Sequence, residues 1–274
     1  MKNISKLICL VLALALLFCG CGGQTGEETK EPAQTQPATE PEAPAITTEE
    51  ALNTALEAGG FVTLSADLAL SVEILVSRNN VLDCGGYTLT GPAYAEDVVE
   101  TQNALTVTGG TVENVVVYGK YRAVGDRKNA GANSDVRLKN ITVDGGSNYA
   151  LNFGYGSGEA GLYVENSRLC GWSSYTKFRE AQFTNCTFAW SENGEQGGFR
   201  PYINTTLIGC HFEGKTNADG SVSPFGISFK SSIEGVTLIL ENCYVGDTLI
   251  TQENINQLLN VNAYNNIVRV QNSN

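Results

Sequence analysis

The sequence predicts an all-β solenoid, a coil of short strands stacked in parallel. Three observations carry this. First, an eight-residue unit recurs as VENVVVYG from Val112, LKNITVDG from Leu138, VENSRLCG from Val164, FTNCTFAW from Phe183, LIGCHFEG from Leu207 and LENCYVGD from Leu240, with CGGYTLTG from Cys84 a looser match. Second, the starts lie 28, 26, 26, 19, 24 and 33 residues apart, near the length of one turn of a three-sided coil. Third, 30 of 274 residues are Gly and only 17% are charged, which argues against a helical bundle.

The unit has a specific physics. Position three is Asn in five of the seven units and Gly in the other two. Both residues tolerate a left-handed backbone, so position three is a bend. An Asn there can also hydrogen-bond the Asn of the turn above or below. Positions one, four and six are mostly apolar or small, and strand alternation points them inward. A β-sandwich is the alternative, but it leaves the recurring Asn unexplained.

The elements follow in order. Lys2 and Lys6 precede an apolar run, Leu7 to Phe18, too short for a membrane span of about 20 residues. The run ends at Phe18-Cys19-Gly20-Cys21, which resembles a bacterial lipoprotein signal. Residues 1–20 are then the signal peptide and Cys21 the lipidated residue, since Gly20 is the small residue before it. An ordinary secreted protein cut near Gly22 is the alternative. The segment 21–45 is rich in Pro, Glu and Thr, and from Gly22 it has no aromatic or branched aliphatic residue. It reads as a disordered tether spanning about 27 Å as a coil. The folded domain is 46–274. Thr47 or Thr48 can cap a short helix whose apolar stripe is Ala51, Leu52, Ala55 and Leu56 and which Gly59-Gly60 stops. Strand-like pieces begin at Phe61–Leu64 and Val72–Val76. Thr251 opens a second expected helix, Gln252–Leu259.

The repeats, the Asn bends and the leading helix resemble the right-handed parallel β-helix of the pectate-lyase-like superfamily. The segment Phe61 to Gly91 is similar to the first turns of many such proteins. The resemblance covers about Ile46 to Val270 and implies a solenoid of about seven to eight turns with a short N-terminal capping helix. That fold hosts lyases, hydrolases, adhesins and inert scaffolds, so it does not name a function.

Five Cys remain beyond Cys21: Cys84, Cys170, Cys186, Cys210 and Cys243. Five is odd, so at least one is free or pairs between chains. Cys186, Cys210 and Cys243 share position four, which stacks them inward about 4.8 Å apart. A bridge between neighbours is possible at that spacing, and a buried ladder of thiols is the preferred reading. A metal site is not expected. There is no CxxC, and His211, the only His, should face outward. A thiol nucleophile would need a basic partner that inward burial denies it.

With 17 Lys+Arg against 29 Asp+Glu, the net charge is −12, which argues against nucleic acid. From Ile46 onward 14 cations face 24 acids, so a cluster of cations would be informative. In enzymes that the chain resembles, substrate lies along one face of the coil. With Leu151, Phe153, Phe178, Ile227 and Phe229 pointing inward, Asn152, Lys177, Ser228 and Lys230 point out, with Arg122, Arg200, Tyr175 and Tyr202 beside them. Trp172 and Trp190 follow two successive units and offer sugar platforms. Cations pair with uronate or sulfate, and rings stack on sugar faces.

The expected ligand-binding residues are thus Arg122, Asn152, Tyr175, Lys177, Arg200, Tyr202, Lys230, Trp172 and Trp190. No acid is expected in this row, and no paired carboxylates at glycosidase spacing are evident. The loops Asp126-Arg127-Lys128 and Glu192 to Glu195 carry charge, and Asn217-Ala218-Asp219-Gly220 reads as a turn. No cofactor is expected, although calcium stays open. The expectation is an exported monomer, lipid-anchored at the outer face of the bacterial cytoplasmic membrane or the cell surface, its membrane contact the lipid alone. It acts as a non-catalytic carbohydrate-binding or adhesive module. A polysaccharide lyase or glycoside hydrolase for uronate glycans is the alternative, and an inert spacer the third.

Overall fold

The computed structural model describes residues 45–92, 102–192 and 196–273, which fall in one compact unit, Pro44–Asn274. The signal segment, Cys21, the tether up to Pro44, and Glu195 lie outside the described residues. Among the described residues, no helix is long and apolar enough to cross a membrane.

The chain is mostly strand, and the pairing is largely parallel. The recurring unit sets the register. Position one of each unit pairs with position one of the next: Val112 with Leu138, Leu138 with Val164, Val164 with Phe183, Phe183 with Leu207, and Leu207 with Leu240. The ladder extends through Val62 and Leu82 at one end and Val270 at the other. The loose unit is misplaced in the sequence reading: Leu82, not Cys84, pairs with Val112. Its bend is wider, because Gly85 and Gly86 both take positive φ.

Two further ladders run beside the first. One stacks Leu68, Leu89, Val117, Val143, Leu169, Phe188, Phe212 and Val245. The other stacks Ile74, Leu105, Val124, Leu151, Ser173, Phe199, Ile227 and Val261. Three parallel ladders do not fit an antiparallel sandwich. Antiparallel pairs among the described residues are short, as in Lys215–Thr216 with Val222–Ser223 and Tyr244–Val245 with Thr248–Leu249.

The Asn bends behave as their chemistry requires. Asn114, Asn140, Asn166, Asn185 and Asn242 have φ of 54, 51, 49, 53 and 50°, and Gly209 has 60°. Asn140 Nδ2 donates to Asn114 Oδ1 at 3.1 Å, and Asn185 Nδ2 to Asn166 Oδ1 at 3.3 Å. At Gly209 a Cβ would stand 2.6 Å from Asn185 Oδ1, so the bare backbone leaves room for that amide.

Helix α1 is Glu49–Ala58, with Thr48 as its cap, accepting from Ala51 N–H at 3.2 Å. Leu52 and Leu56 are buried against the first turns. Helix α2 is shorter than expected, Ile255–Leu258 rather than Gln252–Leu259. Thr251 still opens a turn, its carbonyl accepting from Ile255 N–H at 3.1 Å. Asn254 Oδ1 accepts from Thr251 N–H at 2.7 Å, and Thr251 Oγ1 accepts from Asn254 N–H at 3.3 Å. This reciprocal pair is a capping box, but Gln257 N–H then bonds Asn254 O at 2.9 Å in a tighter three-residue turn, so the regular helix begins only at Ile255.

All five cysteines are free and buried. Cys186, Cys210 and Cys243 point inward on successive strands, donating to the carbonyls of Val164, Phe183 and Leu207 at 3.4 Å each. Burial, with Asp83 adding, pushes Cys84 up to about 12, and burial pushes Cys170 up to about 11. Neither is a thiolate at neutral pH. Among the described residues no cluster of His, Cys, Asp and Glu could hold a metal ion. His211 is exposed and stacks on Tyr244 at 5.2 Å.

Candidate functional site

The third ladder positions the outward row. The strands Arg122–Gly125, Val136–Phe153, Arg168–Tyr175 and Gly198–Pro201 are consecutive in it. Arg122 pairs with Tyr149, and Tyr149 with Trp172. Asn152 pairs with Ser174, and Ser174 with Arg200. A bulge at Ala150 shifts the register by one residue and keeps Tyr149 beside Trp172.

Four of the expected residues form two contacts. With its amide oxygen turned to the guanidinium, Asn152 accepts from Arg122 Nε and Nη1 at 3.0 Å each. The Arg122 guanidinium also lies 5.6 Å from the Tyr149 ring centre. Arg200 sits 4.5 Å from the Trp172 ring centre, a close cation–π contact. Trp172 packs closely on Gly198, which has no side chain; a Cβ there would come within 2.4 Å of the indole. Its Nε1 donates to Gln196 Oε1 at 2.9 Å.

The other expected residues are elsewhere. Tyr175 is a correction: it is fully buried, its hydroxyl 2.9 Å from Thr205 Oγ1. Its strand ends there, and the turn through Lys177, at φ 60°, breaks the alternation. Tyr175 and Phe178 therefore both face the core. Lys177 and Lys230 are exposed on turns, and Tyr202 is half-buried after its strand. Trp190 is half-buried over Gly197, with Lys215 Nζ 5.4 Å from its ring centre.

Beside this row lies a groove that the sequence did not reveal. A cleft of about 590 Å³ is lined by Glu73, Arg122, Arg127, Lys128, Asn129 and Tyr155, among others. A trough of about 560 Å³ is lined by Thr90, Gly91, Tyr118, Lys120, Tyr121 and Ser147, among others. A small pocket shares Gln102 and Arg122 with the cleft and Lys120 and Tyr121 with the trough.

Asp126 shapes the cleft from below. It is buried, and its carboxylate accepts from Ala132 N–H at 3.2 Å, Gly154 N–H at 2.6 Å and Tyr155 N–H at 3.1 Å. It thereby ties together the two loops that carry Arg127, Lys128, Asn129 and Tyr155. Burial raises its pKa, against the pull of those N–H groups. Glu73, mostly buried, pairs with Arg127 Nε at 3.1 Å and accepts from the Thr106 hydroxyl. Arg122 and the run Asp126-Arg127-Lys128 were the sequence signals for this cleft. Glu73 and Tyr155 are 82 positions apart, and no local pattern joins them. The loop Asn217–Gly220 is a turn: Asp219 Oδ1 accepts from Ser221 N–H at 3.0 Å and Oγ at 2.6 Å.

No protein-family model matches the chain, and no curated protein or solved structure matches it either.

Proposed function

We propose that this chain is an exported, lipid-anchored surface protein that binds an acidic polysaccharide without transforming it. Its three ladders are read as the three faces of a right-handed parallel β-helix of the pectate-lyase-like kind, with about seven to eight turns. The lipid anchor at Cys21 rests on the basic, apolar and Gly-Cys sequence of the first residues. One observation carries the binding reading: Arg122, Arg127 and Lys128 converge on one cleft of a chain with net charge −12. Arg200 on Trp172 lies on the adjoining row and offers a second cation backed by a ring.

The test is native affinity electrophoresis of the purified full chain in gels holding acidic or neutral polysaccharides. Retardation by acidic polymer alone is the expected result. Paired replacement of Arg122 and Lys128 by Ala should abolish it, and equal mobility in all gels would refute the binding reading.

Glu73 supports a second reading, an uronate lyase or a glycosidase. It places a carboxylate in the same cleft as two guanidinium groups, the kinds of group that carry protons and stabilise anions. Growth of ultraviolet absorbance from unsaturated uronate ends, lost in Glu73→Gln, would favour the lyase.

A further inference from the structure

Among the described residues, Glu73 is the one acid lining a cleft that also carries Arg122, Arg127 and Lys128. We infer that Glu73 is a specificity-determining residue. It accepts a hydrogen bond from a free hydroxyl of the acidic glycan whose charge the three cations hold, and so rejects polymers in which the hydroxyls are esterified. This rests on the glycan-binding reading above and narrows it.

A carboxylate inside an anion site weakens the attraction that the cations supply. Its pairing with Arg127 accounts for only one of its two oxygens. Oε1 accepts from Arg127 Nε at 3.1 Å and from the Thr106 hydroxyl. Thr106 is fully buried and is itself held by Asn103, whose Nδ2 donates to Thr106 Oγ1 at 2.9 Å. Asn103 is also fully buried, and the same Nδ2 reaches the Asp126 carbonyl at 3.3 Å. Glu73 is thus fixed from behind by a buried polar chain, with only 10% of its side chain exposed.

The other oxygen, Oε2, is left over. Among the described residues no donor reaches it, and it is not one of the partnerless polar atoms sealed from solvent. It therefore opens on the cleft that Glu73 lines. A ligand that covers this oxygen without donating to it strips its water and returns nothing. The donor it suits is uncharged. Arg122, Arg127 and Lys128 outnumber Glu73 and the buried Asp126 carboxylate beneath, so an ammonium would enter a site of net positive charge. A sugar hydroxyl brings the proton without the charge. Esterification replaces that O–H with a carbonyl, which sets one acceptor against another.

The test measures binding of the full chain to two soluble polymers at matched ionic strength: a polyuronate, and the same polyuronate with its hydroxyls acetylated. Both carry the same charge. The native chain should bind the free polymer roughly tenfold tighter or more, the worth of a hydrogen bond to a charged acceptor. Glu73→Gln should bring the two affinities together. Its amide keeps an oxygen for Arg127 and Thr106 and turns an N–H, a donor suited to the ester carbonyl, toward the cleft. Arg122→Ala should weaken both polymers alike and keep their ratio, because it removes charge and leaves the acceptor. Equal binding of the two polymers by the native chain, or a ratio that Glu73→Gln leaves unchanged, would overturn the inference and leave acidic-glycan binding standing. Failure of the free polyuronate to bind the native chain would overturn both.

Discussion

Between Leu105 and Leu151 the inner wall is aliphatic: Leu105, Val112, Val117, Val124, Leu138, Val143 and Leu151 are all fully buried. Of the tyrosines in that half and just beyond it, Tyr118 and Tyr155 stand exposed, and Tyr121 and Tyr149 are half-buried. From Tyr175 to Phe229 the arrangement inverts. Tyr175, Phe183, Phe188, Phe199, Phe212, Phe225 and Phe229 all lie inside. Phe188 is the hub, with ring centres 4.9 Å from Phe199 and 5.3 Å from Phe212. The ladders run through both halves with the same pairing, so an aromatic ring is structural or available to a ligand according to the side of the wall its register selects.

The comparison breaks most sharply at Phe188. Phe188→Ala should destabilise by about 3–5 kcal/mol, the cost of a large core cavity, read from the urea midpoint. Tyr155→Ala, half exposed in the other half, should stay within about 0.5 kcal/mol yet weaken glycan retention. A cheap Phe188 variant would mean that the aromatic half is loosely packed, and the contrast between the halves would fail.

Asp126 comes next, because it joins the aliphatic half to the groove above it. Asp126→Asn puts an amide where three backbone N–H groups point, and should cost about 1–3 kcal/mol. The pH dependence sharpens this. Burial raises its folded pKa above the unfolded value, about 3.9. Its contribution to stability is therefore full below about pH 4 and is lost as pH rises through the raised folded pKa. The gap between native chain and variant should narrow from acid toward neutral pH in urea titrations. A gap that widens over that range would contradict the assignment.

How much of this was legible depended on distance along the chain. The Asn bends and the position-one apolar residues lie within eight-residue windows, so periodicity exposed both the bends and the register. The rule failed where local geometry interrupts it. Gly85-Gly86 widens one bend and displaced a unit by two residues. The turn at Lys177 reversed the side of Tyr175. The row kept Arg122, Asn152, Trp172 and Arg200 because their strands are regular or bulged in register. The groove escaped because Glu73, Tyr118, Arg127 and Tyr155 arrive from different turns, and single-sequence patterning carries no such long-range pairing.

A bend offers a smaller perturbation. Asn166 holds φ at 49° and accepts from Asn185 Nδ2. Asn166→Ala should cost about 1 kcal/mol, since a Cβ without a local polar partner disfavours that region. Asn166→Gly should be nearly neutral by thermal denaturation. Equal losses for both would show that the amide ladder, not the backbone, sets the cost.

The smallest effect belongs to the surface of the aromatic half. Arg168 Nη1 and Nη2 reach Glu213 Oε1 and Oε2 at 2.7 Å each. The geometry is bidentate, but the side chains are 44% and 48% exposed, so water screens the pair and about 1 kcal/mol is the ceiling. The sign is opposite to that of Asp126. Arg168 lowers the folded pKa of Glu213, so its contribution is present above the unfolded value, about 4.3, and is lost as pH falls through the folded one. The gap between the native chain and Glu213→Gln should therefore shrink toward acid, where the Asp126 gap grows. Two carboxylates moving apart on one pH axis would separate burial beneath the groove from pairing at the surface. Parallel movement would mean that net charge, not local environment, governs both.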